Sequence, residues 1–174
     1  MGSRGQTGAG RARRGKLDAM RILLVMVLAA AAALQILAAQ TPERQVAEAV
    51  KRVFDAMAAK DVAVLEAAFV PDAVLAAVRD DGRVVTTPAS RWAASIVKAE
   101  GALLERMWSP KVLIDGDLAA LWAPYDFHRA GKFSHCGTDQ VTLVRQDGRW
   151  KIASLAYTVK RTGCEPSPLG EPAK

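Results

Sequence analysis

Three tight-turn signals divide the C-terminal half of this chain into lengths that suit paired strands and little else. Asp115-Gly116, Ala130-Gly131 and Asp147-Gly148 separate runs 103–114, 117–129, 132–145 and 149–160, in which apolar and polar residues alternate. A two-residue hairpin turn needs positive φ, which glycine supplies without steric cost. Long alternating strands joined by such turns predict an antiparallel meander. Pro110 has no N–H to give to a ladder, so it predicts an edge or a bulge within the first strand.

Upstream the period becomes helical. Thr41 can cap, Pro42 and Glu43 suit a first turn, and Val46, Val50, Val53, Phe54 and Met57 recur on one side, predicting a helix over 42–59. Asp61 caps a shorter helix carrying Val64, Leu65, Ala68 and Phe69, which Pro71 ends. Ala73–Arg79 and Arg83–Thr86 flank Asp80-Asp81-Gly82 and predict a hairpin. Ser90 then caps a third helix with Trp92, Ile96 and Val97, stopping near Gly101. Helices first and a long sheet afterwards predict an α+β class, with three N-terminal helices packed on one face of a curved antiparallel sheet.

With these elements in place, the chain resembles the nuclear transport factor 2-like group, which includes SnoaL-like and ketosteroid isomerase-like proteins. The resemblance covers about 42–162 and rests on the Phe69-Val70-Pro71-Asp72-Ala73 step into the hairpin. It rests also on the runs Trp122–Phe127, Gly131–Gly137 and Trp150–Ser154, which are similar to exported bacterial members. It implies a cone, or cystatin-like α+β roll, in which the sheet curls around an apolar pocket. Members range from isomerases and hydrolases to proteins without known catalysis, so the resemblance implies fold far more than activity. The group's isomerases use an aspartate on the first strand, where this chain has Ala77, and their mechanism is therefore not implied.

The charge of the chain is unevenly placed. Of the formal +6, residues 1–40 supply +5, through Arg4, Arg11, Arg13, Arg14, Lys16 and Arg21 against Asp18, leaving +1 on the remainder. A nucleic-acid binder carries its basic stripe on the folded domain, and this one does not, so nucleic acid is not an expected partner. Met20-Arg21, the apolar Ile22–Ala39 and the small-residue exit Leu37-Ala38-Ala39-Gln40 read as a signal peptide occupying 1–40, with 1–19 consistent with an upstream start assigned in error. A domain over 41–162 and an irregular tail over 163–174 follow. The expected location is periplasmic or secreted. A membrane enters only if this leader is not cleaved and serves as an anchor. In an exported chain the pair Cys136 and Cys164 is expected to be bridged.

Two-residue turns fix a register, and the register assigns faces. It places Leu113, Leu118, Ala120, Trp122, Val141, Leu143, Trp150 and Ile152 on a helix-facing side, and Thr138, Gln140, Thr142 and Lys151 on an outer one that suits water or a second copy of the chain. Asp126, His128, His135 and Asp139 then fall at the mouth of the apolar side, with Asp126 opposite His135. A carboxylate beside an imidazole fixes its tautomer and raises its basicity, which makes Asp126–His135 a candidate catalytic acid–base pair. The same pairing also reads as a cross-strand ion pair with no chemistry. Trp108, Trp122, Asp126, His128, Asp139 and Trp150 are the candidate pocket lining, and a bulge at Pro110 would bring Arg106 to the same side. His128, His135 and an aspartate are ligand types, but two histidines across a turn make a weak set, so neither metal nor cofactor is expected. The function expected is a small-ligand-binding or accessory domain taking an apolar or aromatic molecule. The alternative is an isomerase or hydrolase built on Asp126 and His135.

Overall fold

The computed structural model describes residues 24–26 and 41–172 and divides the chain into two units at Thr41–Pro42. In the first unit 24–26 are helical and exposed; the rest of the expected signal peptide lies outside the described residues. Among the described residues no helix is long and apolar enough to cross a membrane.

The second unit is α+β. Helix α1 (Pro42–Ala59) buries Val46, Val50, Val53, Phe54 and Met57, the stripe its spacing predicts. Helix α2 (Val62–Ala68) begins where Asp61 accepts a hydrogen bond from the Val64 N–H. Strands β1 (Phe69–Arg79) and β2 (Val84–Pro88) form the hairpin, and α3 (Ala89–Lys98) follows without a side-chain cap, so Ser90 sits inside this helix rather than ahead of it. The remaining strands are β3 (Leu103–Met107), β4 (Lys111–Asp115), β5 (Leu118–Arg129), β6 (Lys132–Gln146) and β7 (Arg149–Val159).

The strands make one curved sheet in the order β2-β1-β7-β6-β5-β3, with β4 also on β5. Four findings differ from the sequence reading. The first tight turn is Gly116-Asp117, between Asp115 and its partner Leu118, one residue later than the expected Asp115-Gly116. The sheet is not wholly antiparallel, because β1 pairs with β7 in parallel, Leu75 facing Leu155. The run 103–114 is two strands, broken at Trp108-Ser109-Pro110, where Ser109 has a φ of 45°. The last two hairpins keep the expected two-residue turns but each gains one extra residue farther along. Beyond Arg129↔Lys132 and His128↔Phe133 the next pair is Phe127↔His135, which leaves Ser134 unpaired, and a similar shift after Leu143↔Ile152 leaves Ala153 unpaired.

Those two bulges reassign the faces. The inner face of β5 is Ala119, Leu121, Ala123 and Tyr125, all buried, and it pairs with Leu143, Val141, Asp139 and Gly137 of β6. Leu113, Leu118, Ala120 and Trp122, expected against the helices, lie on the outer face, where Leu113, Leu118 and Trp122 are exposed by 75%, 51% and 55%. Val141, Leu143, Trp150 and Ile152 are in the core as expected.

Candidate functional site

Between the helices and the inner face lies a cavity of about 210 Å³. Val50, Val53, Phe54 and Met57 of α1 form one wall, and Trp92 and Ile96 of α3 another, with Trp92 held edge-on to Phe69 at 5.8 Å. The sheet supplies Leu75, Ile152 and Leu155. Its polar groups gather toward one side, from Glu105 on β3, Tyr125 on β5, His135 on β6 and Tyr157 on β7.

The expected pair Asp126–His135 is not assembled. Asp126 is opposite Cys136 and His135 is opposite Phe127, so the Ser134 bulge leaves Asp126 and His128 on the outer face and His135 and Asp139 on the inner one. His135 packs against Phe127 at 5.0 Å and edge-on to Tyr125 at 5.8 Å, and Ser134 Oγ lies 3.0 Å from its Nδ1. Its pKa is lowered, not raised, first by burial and then by the positive charges of Arg161 and Arg79. The ring in the cavity wall is a neutral imidazole at neutral pH.

Asp126 has a different partner. Arg106 grips it with Nε at 2.9 Å and Nη2 at 2.5 Å, a bidentate pair in which both side chains are largely buried. Arg106 therefore does share a face with Asp126, but the outer one. His128 Nε2 stands 3.6 Å from Asp126 Oδ1. Burial pushes the Asp126 pKa up, yet the Arg106 hydrogen bonds and charge, helped by His128 and Ser167, outweigh it and hold the carboxyl below its ordinary range. The tail closes over this cluster: Arg106 Nη1 donates to the Gly170 carbonyl, and the bond between Cys136 and Cys164 anchors the tail's start beside Asp126.

Of the other expected lining residues, Trp122 is on the outer face, Trp108 sits in the β3–β4 break with its backbone N–H donating to the Pro124 carbonyl, and Trp150 is core, its ring beneath Arg145 at 5.3 Å. None of the three lines the cavity. Asp139 is on the inner face as expected, 1% exposed, one layer behind the lining.

The sequence reading missed Glu105, Tyr125 and Tyr157. Tyr125 crosses Gly137, its opposite number on β6, and donates its hydroxyl to the Thr158 carbonyl at 2.8 Å. A Cβ at position 137 would lie 1.9 Å from that carbonyl oxygen. A glycine in mid-strand marks such a close approach, and Gly137 was the available signal. Glu105 and Asp139 are neighbours in the wall, each acting on the other's titration. Burial, then the Asp139 and Asp126 charges, drive the Glu105 pKa well up. Burial pushes Asp139 up to about 7, its neighbour Glu105 partly opposing the rise. Two ionised carboxylates have no proton to share, and among the described residues Asp139 Oδ2 has no hydrogen-bond donor. The pair is stable in this wall only with at least one proton on it. Among the described residues no three His, Cys, Asp or Glu side chains gather as metal ligands would.

Residues 41–158 match the family described as putative lumazine-binding. Solved structures share the fold at low identity. A nuclear transport factor 2-like protein from Cytophaga hutchinsonii is 16% identical, with a TM-score of 0.58 over 70% of this chain and 100% of its own. A protein with a cystatin-like fold from Nostoc punctiforme is 12% identical, with a TM-score of 0.55 over 68% of this chain and 90% of its own. A function-unknown protein from Mycobacterium tuberculosis is 18% identical, with a TM-score of 0.59 over 68% of this chain and 72% of its own. No curated protein matches the sequence.

Proposed function

Because the chain belongs to the family described as putative lumazine-binding and has the nuclear transport factor 2-like fold, we propose that it is an exported domain that holds one small, largely apolar molecule between α1, α3 and the inner sheet face. The observation that carries this reading is the cavity itself, about 210 Å³ and walled by aliphatic and aromatic side chains. An apolar cavity of about 150 Å³ is enough to bind benzene, so a substituted single ring is the size that fits. The leader pattern of Met20–Gln40 and the Cys136–Cys164 bond support export, since such bonds persist in oxidising compartments. The catalytic alternative built on Asp126 and His135 lacks its shared face.

Toluene and phenol test the reading, with binding followed by NMR shifts of the cavity methyls. Saturable binding is expected, and Val53→Phe, which grows from α1 into the space, should abolish it while circular dichroism stays unchanged. Failure of both probes to bind the folded protein overturns the proposal.

A further inference from the structure

Aromatic side chains are concentrated around one space. The chain has four Trp, two Tyr and four Phe, and six of these ten rings line the cavity: Phe54 on α1, Trp92 on α3, Phe69 on β1, Tyr125 and Phe127 on β5, and Tyr157 on β7. Neighbouring rings stand steeply to one another, Phe69 and Trp92 at 66° and Tyr125 and Tyr157 at 76°, so they form adjoining walls rather than a stack. Among the described residues Glu105 is the one carboxyl in the lining. It acts on the titration of both tyrosines, which makes the three neighbours. The Tyr125 hydroxyl is committed to the Thr158 carbonyl, so that residue offers the space its ring.

No cation faces Glu105. Among the described residues no lysine or arginine lines the cavity, and α1 and α3 present only uncharged side chains to it, as do Leu75 on β1 and Ile152 and Leu155 on β7. Arg106, the next residue on β3, is spent on Asp126 at the outer face. On β6 a second acid, Asp139, is buried behind the lining, and the His135 imidazole is neutral, with Arg79 and Arg161 acting on it. Burial drives the hydroxyl pKa of both tyrosines upward, so neither supplies a charge. A carboxylate without a counter-charge is costly in such a place, and burial accordingly holds the Glu105 pKa well up.

We propose that the cavity takes a small organic cation, an amine or quaternary ammonium with an apolar body, seated with its charge against the Glu105 carboxylate and the Tyr125 and Tyr157 rings. This inference rests on the ligand-binding reading above and names the class of ligand. The ammonium supplies the counter-charge that the wall lacks. Ring faces attract a cation through their quadrupole, most strongly where water is excluded, and the walls from α1 and α3 hold the hydrocarbon part. A bound cation favours the ionised carboxyl, so below the pH at which Glu105 ionises in the free protein a proton must leave as the ligand enters. A carboxylate ligand finds no positive charge in this lining.

Choline and 3,3-dimethylbutan-1-ol have the same shape and differ in charge, so they separate this from simple apolar binding. Titration calorimetry at pH 8 should find choline bound more tightly than the alcohol by about tenfold or more. The choline dissociation constant should rise as pH falls, approaching about tenfold per pH unit for one linked proton, while that of the alcohol stays level. Glu105→Gln, which keeps the shape and removes the charge, should lose both the preference and the pH dependence and bind the alcohol as before. The wild-type comparison stands even if that variant does not fold. If the alcohol or toluene binds and choline does not, or choline binds no more tightly than the alcohol at any pH, the cation assignment is wrong while the ligand-binding reading survives. If none of the three binds at any pH, both fall.

Discussion

Glu105 and Arg106 are adjacent on β3 and open onto opposite sides of the sheet, and each meets one aspartate there. On the inner side Glu105 meets Asp139 beside an apolar cavity. On the outer side Arg106 meets Asp126 under the C-terminal tail. Both aspartates are 5% exposed or less. Their pKa values nevertheless move in opposite directions, Asp139 up to about 7 and Asp126 below the ordinary value. Burial raises both; only the outer one has a guanidinium to outweigh it. Depth alone therefore does not set the state of a carboxyl. The sign of its neighbour does, and the pleat of one strand delivers a different sign to each face.

The contrast can be broken at three places. The largest effect is expected from Cys136→Ser with Cys164→Ser. The bond spans 28 residues, and the chain-entropy model gives about 3–4 kcal/mol for such a loop. Urea unfolding should show this loss while toluene binding at saturation is unchanged; loss of the cavity as well would mean that the two faces are not independent. Asp126→Asn should cost about 3 kcal/mol at neutral pH by leaving Arg106 buried without its counter-charge. Because the folded pKa is lowered, the Asp126 contribution is present above the unfolded value and is lost as pH falls through the folded one. The penalty of the variant should therefore fade in acid. A penalty that persists undiminished at pH 2 would show that shape, not charge, is at stake.

Asp139→Asn should act with the opposite sign and a smaller size. Its folded pKa lies above its unfolded one, so the folded state holds more protons between about pH 4 and 7 and wild-type stability declines across that window. The variant should remove most of this decline and be the more stable protein at pH 8, by about 2 kcal/mol. Thermal unfolding at pH 5 and pH 8 checks it. A variant less stable than wild type at both values would mean that the Asp139 charge is stabilised by a partner and that the inner and outer pairs are alike.

The turns, the helices and the class of fold were legible in the sequence because each has a local cause: Ala130-Gly131 and Asp147-Gly148 adopt the positive φ their turns require, and α1 buries its predicted stripe. The site was much less legible. The register is right at Arg129↔Lys132 and wrong from Phe127 onward, because Ser134 adds one residue between the turn and the core. Nothing in the composition of Ser134 or Ala153 distinguishes a bulged residue from a paired one. Since side chains alternate with period two, one uncounted residue moved Asp126 and His128 to one side of the sheet and Asp139 and His135 to the other. The same error at Ala153 hid Tyr157; the bulge expected at Pro110 is present as the break at Trp108-Ser109-Pro110, but with Leu113 on the outer face instead of the inner one it turns Glu105 inward in place of Arg106.

The bulge at Ser134 also determines where this chain can change length. Removing Ser134 would join Phe133 directly to His135 and leave Arg129↔Lys132, His128↔Phe133 and Phe127↔His135 all in place, at the cost of the contact between its hydroxyl and the His135 ring. Removing a paired residue such as Thr138 would instead turn every side chain on one flank of the cut through the sheet, carrying either Asp139 or His135 out of the interior. A one-residue gap at Ser134 in a relative is therefore compatible with the same inner wall, whereas a gap a few positions later rewrites it.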